Sequence, residues 1–279
     1  MKLLVTGGLG FIGSNFIINV LESHENYEIT NVDAELYGSN SKSLKKFENS
    51  DNYHFVRGNI TDSSLMEKII SESDAVINFA AESFVDRSIA DASPFMESNI
   101  KGVFTILEII KNTNKRFVQI STDEVFGSIN EGSAIEESRF NPSSPYAATK
   151  AAAELLINSY GITYDCDTVI TRCTNNFGPR QFPEKLIPKV ILLAHKHKQI
   201  PVYGNGKNIR DWIYVDDHCN AILKILKQGK KNNSYNISSN NEIDNLTIIE
   251  KILSLMNEPT DLISFVEDRP GHDFRYSMK

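Results

Sequence analysis

Up to residue 178, short apolar runs alternate with longer stretches of helical spacing, the pattern of strand–helix units laid into a parallel sheet. Residues 2–6 read as an apolar strand, and Phe16, Ile17, Val20 and Leu21 follow at helical spacing. Residues 28–32 predict a second strand, then 34–52 a polar loop with a short helix. A third strand is expected over 53–57, with Asp62 as N-cap of a helix carrying Leu65, Ile69 and Ile70. Residues 74–79 predict a fourth strand. Ser93-Pro94 opens a helix running to 111, with Pro in its first turn. Its Ile100, Val103, Phe104, Ile106, Leu107, Ile109 and Ile110 form more than one apolar stripe, so it should be buried on two sides. Phe117, Val118 and Ile120 mark a fifth strand, 147–160 an alanine-rich helix, and 168–172 a sixth strand.

Beyond Gly178-Pro179 the rhythm loosens. A helix is expected over 186–197, short strands over 200–203 and 209–215, an amphipathic helix to 226, and a solvated loop over 227–233. The pattern predicts an α/β protein with a doubly wound parallel sheet over 1–178. A smaller C-terminal part over 179–279 should face the substrate.

Composition changes this picture little. The 279 residues are 41% hydrophobic and 23% charged, ordinary for a globular chain. A net charge of −7 argues against nucleic acid as the partner. Cys166, Cys173 and Cys219 are odd in number and lack metal-type spacing, which points to free thiols in a reducing compartment. No apolar run is long enough to span a bilayer, and no charged-then-apolar leader precedes the first strand, so the expected location is the cytoplasm, with no membrane partner and no metal.

The chemistry gathers at predicted strand ends, where open α/β sheets hold ligands. Gly7, Gly10 and Gly13 follow the first strand without a gap and open its helix, with Phe11 and Ile12 between them. Such a turn lets backbone approach a pyrophosphate at a helix N-terminus. Asp33 ends the second strand 20 residues beyond Gly13, where a carboxylate binds a ribose diol and repels a 2′-phosphate. NAD is therefore favoured over NADP. After the third strand, Asn59 and Ile60 stand where the adenine edge would rest. Ala80 and Ala81 leave the fourth strand, permitting close approach or simply a tight turn.

Ser121-Thr122-Asp123-Glu124 ends the fifth strand and offers an acid/base pair. Tyr146 and Lys150, four apart, share one helix face, where the lysine cation should lower the phenol's pKa and make it a usable base. Cys173, Asn175 and Asn176 end the sixth strand. Arg210 is a phosphate candidate or a surface ion pair; Tyr203 suits stacking on a pyrimidine or packs as a core tyrosine. The helices beginning at Ser93 and Tyr146 would meet a second subunit or a thick core of their own chain.

Together TGGLGFIGSN, FAAESFVDRSI, ISTDEVFGS, SPYAATK, RCTNNFGPRQFPEKLIP, PVYGNGKNIRDWIYVDDH and DRPGHDFRY resemble the extended short-chain dehydrogenase/reductase family, and within it the nucleotide-sugar 4,6-dehydratases. The resemblance covers nearly the whole chain. It implies a Rossmann-type fold and dehydration of a nucleotide-linked hexose, dTDP-glucose first, to a 4-keto-6-deoxy sugar, with NAD as transient hydride carrier. It implies Thr122, Asp123, Glu124, Tyr146 and Lys150 as catalytic residues. Gly7, Gly10, Ile12, Asp33, Asn59, Ile60, Ala80, Ser83, Asn99 and Lys150 would touch NAD. Asn176, Lys185, Leu186, Pro201, Tyr203, Arg210, Asn245, Arg269 and His272 would face the nucleotide sugar, and a homodimer is expected. The family has His where Phe84 stands, Tyr where Phe126 and Phe177 stand, and continues past Lys279. A UDP-sugar dehydratase or a 4-epimerase are the nearest alternatives. A nucleotide-binding protein that has lost its chemistry is the alternative of another class.

Overall fold

The computed structural model describes residues 1–24 and 26–279. Its strands are β1 (Lys2–Thr6), β2 (Glu28–Asp33), β3 (Tyr53–Arg57), β4 (Ala75–Asn78), β5 (Arg116–Thr122), β6 (Thr168–Cys173), β7 (Asn175–Phe177), β8 (Ile200–Tyr203), β9 (Ile209–Tyr214), β10 (Asn233–Ile237), β11 (Glu242–Asp244) and β12 (Ile263–Val266). Seven of them form one parallel sheet in the order β10-β6-β5-β4-β1-β2-β3. Two small sheets, β11-β9-β7 and β12-β8, lie outside it.

The helices are α1 (Phe11–Ser23), α2 (Ser63–Ser71), α3 (Val85–Ala90), α4 (Ser93–Phe95), α5 (Gly102–Ile110), α6 (Pro145–Tyr164), α7 (Leu186–His195), α8 (Val215–Gln228) and α9 (Asn245–Met256). Side chains alternate across a strand, and β1 shows what that does here. Leu3 and Val5 enter a core with Phe16, Ile17 and Val20 of α1 and Ile222 and Leu226 of α8. Leu4 enters the opposite core with Met66 and Ile70 of α2, Ile106 and Leu107 of α5 and Ile157 of α6. Because helices cover both faces, the strand is apolar at consecutive positions. Each such side chain contributes roughly 1.5–3 kcal/mol by leaving water. The expected doubly wound α/β sheet is therefore what forms. No helix among the described residues is long and apolar enough to cross a membrane.

Three expectations need correction. The helix over 93–111 is not regular: a π-helical turn, Met96–Lys101, links α4 to α5. Nor is it covered on two sides within the chain, since Met96 and Phe104 stay exposed. The loop over 227–233 runs straight into β10, an edge strand paired with β6. The chain thus returns to the large sheet well after residue 178, and α8 packs on α1 in the same core. The rest of the later chain makes its own core from Val190 and Ala194 of α7, Ile200 and Val202 of β8, and Ile249 and Leu253 of α9.

Candidate active site

The carboxyl ends of β1, β2, β4, β5 and β6 open into one pocket. On one side lies the glycine turn. Gly7 sits at φ +70°, and a Cβ there would lie 2.5 Å from the Ala80 nitrogen. A Cβ on Gly13 would lie 2.5 Å from the Gly7 carbonyl oxygen, so α1 starts close against the turn. No side chain caps α1 at Gly10, which leaves its first N–H groups for an anion. Asn31 braces the turn from β2 by accepting from the Gly8 N–H at 3.1 Å. Asp33 closes the far side, accepting from the Leu9 N–H at 2.9 Å and the Glu35 N–H at 2.8 Å. Burial raises its pKa while those two N–H groups oppose the rise. Gly7, Gly10, Phe11, Ile12, Gly13, Asp33, Asn59, Ile60, Ala80, Ala81 and Ser83 all line this half.

The other half is built by β5, β6 and α6. Ser144 caps α6 by accepting from the Ala147 N–H at 3.1 Å, and Pro145 occupies the first turn. That start places Tyr146 and Lys150 on the wall facing Ser121, Thr122, Asp123 and Glu124. Thr122 donates to Asp123 at 3.1 Å and accepts from the Glu124 N–H at 3.3 Å, turning the chain so that both carboxyls face the pocket. Burial, with Glu124's charge adding, pushes Asp123 up to about 8, so it carries its proton at neutral pH. Its Oδ2 has no hydrogen-bond partner. Glu124 is also raised, by burial first, with the charges of Lys185, Arg269 and Arg210 opposing part of the rise.

Lys150 shares the pocket wall with Tyr146 but does not bring the phenol below its ordinary value as its spacing implied. Its ammonium donates to the Ile120 carbonyl at 2.6 Å, and burial pulls it down to about 8. The phenol is raised well above its ordinary value, first by burial and then by Glu124. A buried phenol beside carboxylates needs a further positive charge before it can act as a base.

Unsatisfied groups point the same way. Thr174 Oγ1 and Asn175 Oδ1 are buried without partners and, with Cys173, line the pocket beside Asp123. A glycine cradle at an uncapped helix start, a carboxylate at the end of β2 and orphaned acceptors beyond it suit an extended dinucleotide.

Of the expected substrate contacts, Asn176 and Lys185 line the pocket, together with Ser83 and Thr122. Lys185 donates to the Ser83 carbonyl at 2.9 Å, and buried His218 holds Asn176 through Nδ1 at 2.9 Å. Tyr203, Arg269 and His272 gather round Asp86 of α3 without lining the pocket. Arg269 reaches Asp86 at 3.1 Å, the Tyr203 hydroxyl reaches it at 3.4 Å, and His272 stands edge-on to Tyr203. Leu186, Pro201 and Asn245 belong to the smaller unit's framework and do not reach the pocket. Asn99 stands behind the wall, its amide bonded to the Glu82 backbone and Thr149.

Arg210 is neither a surface ion pair nor aimed into the pocket. It is 5% exposed, donates to the carbonyls of Ile209, Asp273 and Phe274, and stacks 4.2 Å over Tyr276. Tyr276 in turn donates to Asp273 at 2.8 Å and lies 3.5 Å from Glu124, a neighbour of the carboxylate that sequence reasoning missed. Also missed were Tyr37 and Phe182, which with Phe84 form an aromatic group at the pocket's edge. Phe126 and Phe177 do not line the pocket; Phe126 packs on Phe140 and Phe177 on Tyr214. Among the described residues no cluster of His, Cys, Asp or Glu is placed to hold a metal.

Comparison with known proteins agrees with this geometry. The chain is 47% identical over its whole length to the low-salt glycan biosynthesis protein Agl12 of Haloferax volcanii, covering 90% of it. It is 44% identical to the dTDP-glucose 4,6-dehydratase of Streptomyces niveus, covering 100% of this chain and 84% of that one. The solved structure of DesIV, a dTDP-glucose 4,6-dehydratase from Streptomyces venezuelae with NAD bound, superposes with a TM-score of 0.98 at 41% identity, over 100% of this chain and 88% of that one. The family model for GDP-mannose 4,6 dehydratase matches residues 4–277. The chain belongs to the GDP-mannose 4,6 dehydratase family.

Proposed function

We propose that this protein dehydrates a nucleotide-linked hexose, dTDP-glucose first, to its 4-keto-6-deoxy product, with NAD held in the glycine half of the pocket. The observation that carries the reading is the pair of carboxyls at the end of β5 opposite Tyr146, Asp123 held protonated by burial and Glu124 flanked by the charges of Lys185, Arg269 and Arg210. NAD, when bound, supplies a reversible hydride acceptor and a positively charged ring.

In this reading Tyr146 takes the proton of the sugar 4-hydroxyl, with Thr122 holding that hydroxyl. The resulting ketone acidifies C5, whose proton Glu124 removes. Asp123 gives its proton to the departing 6-hydroxyl. Lys150 fixes the end of β5 through Ile120 and sets an ammonium in the same wall as Tyr146. A 4-epimerase would use Tyr146 and Lys150 but leaves no work for Asp123 and Glu124, and a silent binding protein needs none of the five. Incubation with dTDP-glucose and with UDP-glucose tests the reading: a 4-keto product is expected from dTDP-glucose, and none from either sugar would overturn it.

Asp33 should also decide the cofactor. A carboxylate facing the ribose repels a 2′-phosphate, so NAD should bind at least about tenfold tighter than NADP, or about 1.4 kcal/mol. Asp33→Ala should narrow that gap in a calorimetric titration of both nucleotides; an unchanged ratio would remove Asp33 from the role.

Exposed Met96 and Phe104 on the π turn and α5, with Leu155 and Ile162 on α6, support a homodimer that covers both helices. Light scattering at micromolar concentration should return twice 31.4 kDa. The three cysteines are unpaired and buried, which supports a reducing compartment, and we place the protein in the cytoplasm.

A further inference from the structure

Behind the catalytic wall, α6 carries a charge that the proposed steps do not use. Glu154 is fully buried, one helical turn beyond Lys150. Its Oε1 accepts from the Ser121 hydroxyl at 2.6 Å. Arg172 of β6 grips it in a fork, Nε to Oε2 at 2.9 Å and Nη2 to Oε2 at 2.7 Å, and is itself 2% exposed. Ser121 and Arg172 are direct partners across β5 and β6. Three elements therefore meet at one carboxylate: the strand that ends in Thr122-Asp123-Glu124, the helix that bears Tyr146 and Lys150, and β6.

Stability does not account for such a pair. Desolvating two charges costs several kcal/mol per ion, and well-packed apolar replacements are often neutral or better. An alanine-rich helix had apolar options at this position. What an apolar pair cannot do is hold Ser121 by its hydroxyl and set a negative charge one turn from an ammonium.

We propose that Glu154 is a positioning residue for the reaction, docking the end of β5 onto α6 through Ser121 and placing its charge behind the Lys150 ammonium. The inference rests on the reading of Lys150 as a working cation. The titratable groups around Lys150 are Tyr146 and Glu154 on its own helix, Cys173 on β6, and Asp123 and Glu124 after β5. Arg172 is the counter-charge of Glu154. Burial alone lowers Lys150, and Glu154 is the first group acting against that. Removing its charge lets the ammonium lose its proton at lower pH.

Two variants separate docking from charge. Ser121→Ala cuts the hydroxyl link and leaves both charges in place. It should lower kcat about tenfold, the worth of one bond to a charged group, without moving the alkaline limb of the pH profile. The pair Glu154→Gln with Arg172→Met removes both charges at once, so no lone ion is left buried. It should shift the alkaline limb of kcat/KM down by about one pH unit, as expected for losing an adjacent opposite charge, with KM for the nucleotide sugar within about twofold. A Ser121→Ala enzyme with wild-type kcat, or a folded charge-free pair with a wild-type limb, would overturn the inference. If the unmodified protein yields no 4-keto product from either nucleotide sugar, it is the functional reading that fails instead.

Discussion

Glu124→Gln should slow formation of the 4-keto-6-deoxy sugar by at least about 10², or ~2.7 kcal/mol of barrier, the lower end of what a positioned base contributes. Glutamine has nearly the shape of glutamate, so the pocket should keep its form and NAD its affinity. What disappears is the acceptor for the C5 proton. The charges of Lys185, Arg269 and Arg210 that oppose the effect of burial on the carboxyl would then face a neutral amide. Heavy water adds a second check. The unmodified enzyme should build one solvent deuteron into C5, and the variant should do so only as slowly as it turns over. Full activity in the variant, or the deuteron found elsewhere than C5, would refute this assignment of the carboxylates.

Gly7→Ala should cost about 2–6 kcal/mol, divided between folding and NAD binding. A non-glycine residue at φ +70° pays roughly 1–3 kcal/mol in backbone strain, and forcing a methyl into a packed wall adds roughly 1–3 more. The neighbour is backbone, Ala80 N and Cα at the end of β4, and cannot rotate aside. Thermal unfolding with and without NAD measures both parts. The midpoint should fall, and the rise on adding NAD should shrink. A variant with unmoved midpoint and affinity would show that the turn relaxes freely and that Gly7 is not needed there.

The part of the site lying at the ends of β1, β2, β5 and β6 was legible because at least half of the residues in each of those strands are apolar or β-branched. Gly7 follows β1 directly, and Asp33, Thr122 and Cys173 end β2, β5 and β6, so strand polarity alone brings them together. Strands of other kinds escaped. Asn233–Ile237 is mostly polar and lies at a sheet edge, and β7 and β11 have three residues each, too few for any period to show. Residues beyond 178 could be named from motifs but not positioned, since Arg210 and Tyr203 hang on these short sheets. Charge was harder still. The spacing of Tyr146 and Lys150 was right, yet helical spacing does not reveal that the ammonium turns to the Ile120 carbonyl or that burial governs the phenol.

The path of the chain around β10 has a mechanical consequence. After residue 178 the chain leaves the large sheet, comes back through α8 and β10, leaves again for α9, and returns as residues 275–279 beside residues 129–134. A unit hung on one linker swings freely, and one hung on two can still turn about the line joining them. The fourth crossing here lies on a different part of the large unit, where Ile129 and Ala134 donate to the carbonyls of Arg275 and Ser277. Several crossings restrict relative motion more than one linker would. The cleft between the two units should therefore open less widely than in a unit hung on a single linker, giving side chains at its rim a larger share in gating what passes.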